Sequence, residues 1–253
     1  MNYTDFLKSK VVVAPKSGFA IDRGQLNPEL KGHQKDAVQW AIAGGRRALF
    51  ESFGLGKTAQ EIEFCHQVVM HERVNDNPNA KALIVLPLGV KQEFSRDAVA
   101  LLHYEAPPYV RTQAEADAYD GEIVMTNYER VRDIDPKKFC AVALDEASVL
   151  RSFGSKTYQT FLQKFRGVKY KLVCTATPSP NRYKELIHYA AFLEVMDSGQ
   201  ALTRFFQRDS TKANHLTLYP HKEQEFWLWV ASWALLISKP SDLGYGDEGY
   251  DLP

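Results

Sequence analysis

The chain has 253 residues, 45% apolar and 25% charged, and its 31 Lys and Arg balance 31 Asp and Glu to a formal net charge of zero. Such a composition suits one large α/β domain, or one domain with a small appendage, with enough apolar side chains for a full core. It excludes a global basic field, so a nucleic-acid partner would have to be met by a local patch.

Cys65, Cys140 and Cys174 are far apart and form no CxxC pair, which reads as reduced, structural thiols rather than metal ligands. Residues Met1 to Asp5 lack the basic-then-apolar pattern of a signal peptide. No stretch approaches the roughly 18 apolar residues of a membrane span, and a soluble, cytoplasmic protein is expected.

In chain order, residues 1–30 mix short apolar runs such as Val11-Val12-Val13 with Gly, Pro and Asn, an irregular lead-in or an edge strand. Lys31 to Ala43 has apolar residues at helical spacing, stopped by Gly44-Gly45. Ala48 to Glu51 reads as a strand and Thr58 to about Val74 as a helix. Lys81 to Pro87 is a continuous apolar run, the pattern of a strand buried on both faces. A helix over Gly89–Leu102 follows, then a short Tyr109–Arg111 strand, a helix over Ala114–Tyr119 and strands at Glu122–Thr126, Phe139–Leu144 and Tyr170–Thr175. Helices are expected at Ser155–Phe165 and Tyr183–Met196, a strand near Leu216–Tyr219, and an aromatic-rich helix over His221–Ser238. Gly244 to Tyr250 reads as an exposed linker. Strands alternating with helices in units of about 30 residues predict a doubly wound, mainly parallel sheet, whose ligands bind beyond the carboxyl ends of the strands.

Polar signatures stand at those strand ends. After Ala48–Glu51 comes Ser52-Phe53-Gly54-Leu55-Gly56-Lys57-Thr58. A glycine-rich turn opening a helix with Gly-Lys-Thr cradles phosphate through backbone N–H groups, with Lys57 on the β and γ phosphates and the Thr58 hydroxyl on Mg²⁺. The first glycine of the general phosphate-loop pattern is Glu51 here. After Phe139–Leu144 come Asp145-Glu146-Ala147-Ser148. Adjacent carboxylates ending a buried strand call for a nearby cation; Asp145 is placed to hold Mg²⁺ and Glu146 to activate the attacking water. Capping of the following segment is the plainer alternative for both. Thr175-Ala176-Thr177-Pro178-Ser179-Pro180 follows the strand after that.

Gly54–Thr58, Asp145–Ser148 and Thr175–Pro178 together resemble motifs I, II and III of superfamily-two helicases and translocases. The Gly-Leu-Gly-Lys-Thr form and Asn127-Tyr128-Glu129 are closer to the Snf2-like branch, in its phage and mobile-element type, and so are Gly18-Phe19 and Lys239–Gly244. Glu51 stands where Snf2-like motors carry Asp. The resemblance implies a three-layer RecA-like P-loop fold over residues 1–210, with an accessory strand, helix and linker over 211–253. It implies ATP and Mg²⁺ as cofactors, with Gly54, Leu55, Gly56, Lys57 and Thr58 around the phosphates. It implies Gln34 as the reader of adenine, by the bidentate amide geometry that suits N6 and N7, and Phe19 as a ring stacked on the base. Pro87 matches motif Ia, and Thr126 and Asn127 match motif Ib, lining a nucleic-acid track, while Thr175 and Thr177 link that track to the ATP site. DNA is the expected polymer, with RNA as the alternative. Ser148 departs from the Asp or His of the DEAD and DEAH forms.

Motors of this kind close two RecA-like lobes on ATP, and an arginine from the second lobe is worth about 10³–10⁵ in rate in related NTPases. The stretch after Pro180 is too short for another such lobe, and the spacing of Arg204 and Arg208 favours neither as a substitute. A second lobe, in cis or in trans, is therefore expected as partner, and the isolated chain is expected to be weakly active or inactive. The motor lobe of a restriction-modification system, or a P-loop regulatory module without motor activity, remain alternative readings.

Overall fold

A computed structural model describes residues 12–75, 77–152, 155–179, 183–208 and 216–250. Val11, Pro180, the Arg208 side chain and the expected boundary at 210/211 lie outside the described residues.

The chain passes through α1 (Gly32–Gly44), β1 (Arg46–Glu51), α2 (Lys57–Asn75), β2 (Ala82–Leu86), α3 (Lys91–Ala100), α4 (Gln113–Ala118), β3 (Ile123–Asn127) and β4 (Ala141–Leu144). It continues through α5 (Ser155–Lys164), β5 (Tyr170–Thr175), α6 (Leu186–Phe192), α7 (Ser198–Phe205), β6 (Phe206–Arg208), β7 (Leu216–Leu218), α8 (Glu223–Ala231) and β8 (Ala234–Ile237). Six strands form one sheet in the order β3-β2-β4-β5-β1-β8, every pair parallel. β6 and β7 make a separate antiparallel ribbon.

The period of two along each strand divides the core between the two faces of the sheet. Ala48, Phe50, Leu83, Val85, Val142, Leu144 and Val173 point to one side, among α5, α6 and α8 residues such as Phe161, Phe192 and Trp229. Leu49, Ile84, Leu86, Ala143, Leu172 and Cys174 point to the other, where Val38 and Ile42 of α1 and Ile62 and Val68 of α2 cover them. Helices on both faces make the α/β three-layer RecA-like arrangement, and explain why these strands are apolar throughout rather than alternating with polar residues. α1 ends where Gly45 turns to φ +75, with its N–H bonded to the Ala41 and Ile42 carbonyls; a Cβ there would lie 2.7 Å from Gly18 N.

Two expected elements differ. The Tyr109–Arg111 strand is reduced to a single bridge, Tyr109 to Met125. The helix expected over His221–Ser238 ends at Ala231, and Ala234–Ile237 is instead the outermost strand of the main sheet, Leu236 beside Phe50. Short i→i−3 bonds from Ser232 and Trp233 close the helix, and Ala48 N then donates to Trp233 O at 2.8 Å. The backbone groups along the edge of β1 need partners, and the Ala-Leu-Leu-Ile run supplies them. A short apolar run carries no periodicity that separates the two outcomes.

Trp233 is fully buried, edge-on to Phe50 and Trp229 at 6.0 and 5.4 Å. Trp233→Ala should therefore lower the free energy of unfolding by about 3–5 kcal/mol, read in urea as a lower midpoint at unchanged slope.

Candidate nucleotide site

In a parallel sheet all carboxyl ends leave by the same edge, and here β4, β5 and β1 are consecutive. The register sets Phe50 beside Thr175 and Leu144 beside Val173. The phosphate loop, Asp145-Glu146 and Thr175–Thr177 therefore emerge at nearly one level.

The loop is shaped by Gly54 and Gly56, both at φ +82 in the left-handed region, which glycine enters without a Cβ penalty. Lys57 opens α2, and its ammonium donates to the Glu51 and Ser52 carbonyls at 2.8 and 3.0 Å. Gln60, one turn of helix further on, donates to the Glu51 carboxylate at 2.7 Å. Burial pushes the Glu51 carboxyl up to about 7, against the Gln60 hydrogen bond and the Lys57 charge that draw it down. Burial also pushes Asp145 up to about 6; among the opposing effects are the hydrogen bond from Glu146 N and the Lys57 charge. Glu61 is fully buried, and burial followed by the Asp145 charge holds its carboxyl well above the usual range, against a hydrogen bond with the Cys174 thiol. Gln60 and Glu61 escaped the sequence reading; their signal is helical spacing, three and four residues beyond Lys57 on the inward face.

Gln34 lies against this loop. Its amide donates to Leu55 O at 2.9 Å and accepts from Lys31 N at 2.8 Å. A Cβ on Gly56 would come within 2.2 Å of Gln34 Nε2, so the loop and the amide require a glycine there. Phe19 does not join them. Its ring stacks on His71 at 3.7 Å and meets Tyr170 edge-on. His71 is fourteen residues along α2 from Lys57, about 21 Å at 1.5 Å per residue. The base-stacking role expected of Phe19 is corrected accordingly: α2 separates its ring from the loop by nearly the full helix.

Glu146 adopts φ +43, a left-handed conformation that costs a non-glycine residue about 1–3 kcal/mol. Two hydroxyls meet its Oε1: Thr175 Oγ1 at 3.1 Å and Ser148 Oγ. Thr175 Oγ1 in turn accepts from Thr177 N at 3.1 Å. Ser148 is thus in direct contact with Glu146 despite its departure from Asp or His. Tyr128 OH, from the turn after β3, donates to Asp145 O at 2.7 Å.

The expected polymer-facing residues divide. Pro87 starts the short 3₁₀ turn after β2 and is partly exposed. Thr126 and Asn127 are buried; Thr126 Oγ1 donates to Val110 O at 2.9 Å, and Asn127 Oδ1 accepts from Arg130 N at 3.1 Å. Their side chains hold the strand end and its turn. Arg130 and Arg132 are exposed in that turn, alongside the exposed Glu129 and Asp133, and both arginines pair with Asp133 at 3.6 Å. Arg204 Nε donates to Glu225 at 2.8 Å and ties α7 to α8.

The expected exposed linker is also different. Tyr245 OH donates to Asp36, Arg23 donates to Tyr245 OH at 2.9 Å, and the Tyr250 ring stands edge-on to His33 at 5.4 Å. The segment after β8 folds back onto the start of α1.

These features define the ATP-binding lobe of a RecA-type P-loop protein. The profile of the SNF2-related domain matches residues 33–225, and the chain belongs to that family. Over 191 residues it is 27% identical to human TATA-binding protein-associated factor 172, a match covering 66% of this chain and 10% of that protein. Its fold is similar to the Sulfolobus solfataricus SWI2/SNF2 ATPase core in complex with dsDNA, with a TM-score of 0.66, 18% identity, and coverage of 90% of this chain and 48% of that one. It is also similar to the Sulfolobus solfataricus SWI2/SNF2 ATPase core domain, with a TM-score of 0.62, 17% identity, and coverage of 94% and 50%. The UvsW helicase of bacteriophage T4 gives a TM-score of 0.51 at 16% identity, covering 76% of this chain and 66% of that one. The chain spans about half the length of the Sulfolobus structures and a tenth of the human protein. No helix among the described residues is long and apolar enough to cross a membrane.

A carboxyl raised by burial binds its proton more tightly folded than unfolded, so its stabilising effect is greatest at low pH and is lost as pH rises through the folded value. For Glu51 that window runs from about 4, the ordinary carboxyl value, to about 7. Glu51→Gln should therefore flatten the stability profile across this window and unfold about 1–3 kcal/mol later than wild type at pH 8, as urea titrations at pH 5 and pH 8 would report.

Proposed function

We propose that the chain is the ATP-binding lobe of a DNA-dependent ATPase, a helicase or translocase, and that it works against a second RecA-like lobe. The observation that carries this reading is the Thr177–Thr175–Glu146 chain of hydrogen bonds at the strand end beside the phosphate loop. A plain phosphate cradle has no use for it; an ATPase that must relate hydrolysis to events elsewhere does.

In this reading the N–H groups of Gly54 to Lys57 and the Lys57 ammonium receive the β and γ phosphates, the ammonium exchanging its carbonyl partners for phosphate oxygens. Mg²⁺ would be held by Thr58 and Asp145 and would supply neutralisation of phosphate charge. Both side chains are partly exposed at the same sheet edge. The carboxyls at and around Asp145, pushed up by burial, suit that ion chemically. Among the described residues no three His, Cys, Asp or Glu gather into an all-protein metal cage; a Mg²⁺ site that shares its ligands with phosphate and water does not need one. Glu146, oriented by Thr175 and Ser148, takes the proton of the attacking water, and Gln34 reads the adenine edge. The polymer is duplex or single-stranded DNA, a reading supported by the family and by the dsDNA named for the Sulfolobus core. Its phosphates would pass Pro87 and the Arg130–Arg132 turn, by contacts independent of sequence.

Hydrolysis assayed with and without single-stranded DNA, duplex DNA and RNA tests this proposal. Turnover by the chain alone should be slow or undetectable, and DNA-stimulated when a second lobe is supplied; DNA-stimulated turnover typical of a complete motor from this chain alone would overturn the two-lobe requirement. Lys57→Ala should abolish nucleotide binding, while Glu146→Gln should keep ATP affinity and lower turnover by about 10²–10⁴-fold, the usual weight of a general base.

A further inference from the structure

With Phe19 at the far end of α2, the nucleotide site has an amide to read the edge of a purine and no ring assigned to its face. The arm that follows β8 brings two rings to the first turn of α1, on which Gln34 lies. It is braced internally: Asp242 accepts from Ser238 N at 2.7 Å, Asp247 accepts from Ser241 N at 2.8 Å, and Tyr250 N donates to Asp247 O at 3.0 Å. Tyr245 anchors it. Its hydroxyl sits between Asp36 and Arg23, themselves an ion pair at 2.9 Å. Its ring lies so close over Gly32 that a Cβ there would be 2.3 Å from the ring. Tyr250, five residues on, stands edge-on to His33 at 5.4 Å with the Lys31 ammonium 4.4 Å from its ring centroid. The arm therefore covers Lys31, Gly32, His33 and Asp36, the residues that flank Gln34 on the first turn of α1. Gln34 and His33 both reach Leu55 O of the phosphate loop, at 2.9 and 3.4 Å.

We propose that Tyr250 is the aromatic wall of the nucleobase site, packing against the purine that Gln34 reads, with Tyr245 as the positioning residue that fixes the arm. This deepens the proposed function and rests on it. An aromatic face recognises any base by stacking, worth about 1–3 kcal/mol per base in nucleic-acid complexes. Lys31 lies over one face of the ring, so a purine would stack on the opposite face or displace the ammonium to the rim. Tyr250 is partly exposed, and its ring needs no rearrangement of the sheet to meet a ligand. Because the arm continues directly from β8, which pairs with β1 ahead of the phosphate loop, the base and the phosphates would be held by segments hydrogen-bonded to one another.

Binding of ATP, GTP and tripolyphosphate, measured by calorimetry on the full chain, separates face, edge and phosphate recognition. Tyr250→Ala should weaken ATP and GTP by about 10-fold and leave tripolyphosphate within about twofold, whereas Tyr250→Phe should recover most of the lost affinity. Tyr245→Phe, which keeps the ring on Gly32 and loses both hydroxyl bonds, should weaken ATP by a smaller factor and again spare tripolyphosphate. Tyr250→Ala binding ATP like wild type, or losing ATP and tripolyphosphate alike at an unchanged melting temperature, would overturn the proposal while leaving the nucleotide site intact. Wild-type chain that binds neither ATP nor tripolyphosphate would overturn the site itself, and this inference with it.

Discussion

Burial of three carboxyls, Glu51, Glu61 and Asp145, is the constraint on which the carboxyl edge of this sheet turns, with the nearby Lys57 ammonium a lesser, opposing effect. Glu51, Glu61 and Asp145 all feel it as a favourable interaction, and all three are nonetheless pushed up by burial. Removing an ionised carboxylate from water costs more than any neutral neighbour returns, so such a cluster persists only where cations, protons or both are shared among its members. In this structure the ammonium is bonded to two loop carbonyls, while burial favours the protonated form of the carboxyls around it.

The same edge stores conformational energy at Glu146. A left-handed glutamate is retained because Thr175 and Ser148 hold its carboxylate and Ala147 is buried behind it. Interactions of that kind over-determine a strained residue, and they cluster where a side chain must be aimed. Thr175 belongs to β5, between β4 and β1 in the sheet, so the hydroxyl that orients Glu146 is carried by the strand that separates the acidic pair from the phosphate loop.

Helix α2 shows how far local pattern reaches. The Gly-Lys-Thr that opens it, the apolar strand before it and the Asp-Glu pair at another strand end were all readable, because phosphate and metal chemistry restrict both residue type and position. Phe19 was not, since its distance from Gln34 along the chain says nothing about which end of α2 its ring meets. Thr126 and Asn127 carry the residue types of a polymer-binding motif, yet their side chains serve the strand end, a distinction that burial makes and sequence does not.

By itself the amino-acid sequence determined the alternating strands and helices, the doubly wound class and the polar signatures at the strand ends, because hydrophobic period and turn chemistry act within a few residues. Tertiary structure decided what depends on separated segments meeting. It placed Ala234–Ile237 in the sheet, since only the open edge of β1 tells that run to pair. It brought Ser148 and Thr175 onto Glu146 through the strand register. It also folded Tyr245 and Tyr250 back onto the helix that carries Gln34, more than two hundred residues earlier in the chain. The loop from Gly54 to Lys57 was legible as a glycine-shaped turn opening a helix; the side chains that surround it were not, because their proximity is a property of the packed sheet rather than of any stretch of sequence.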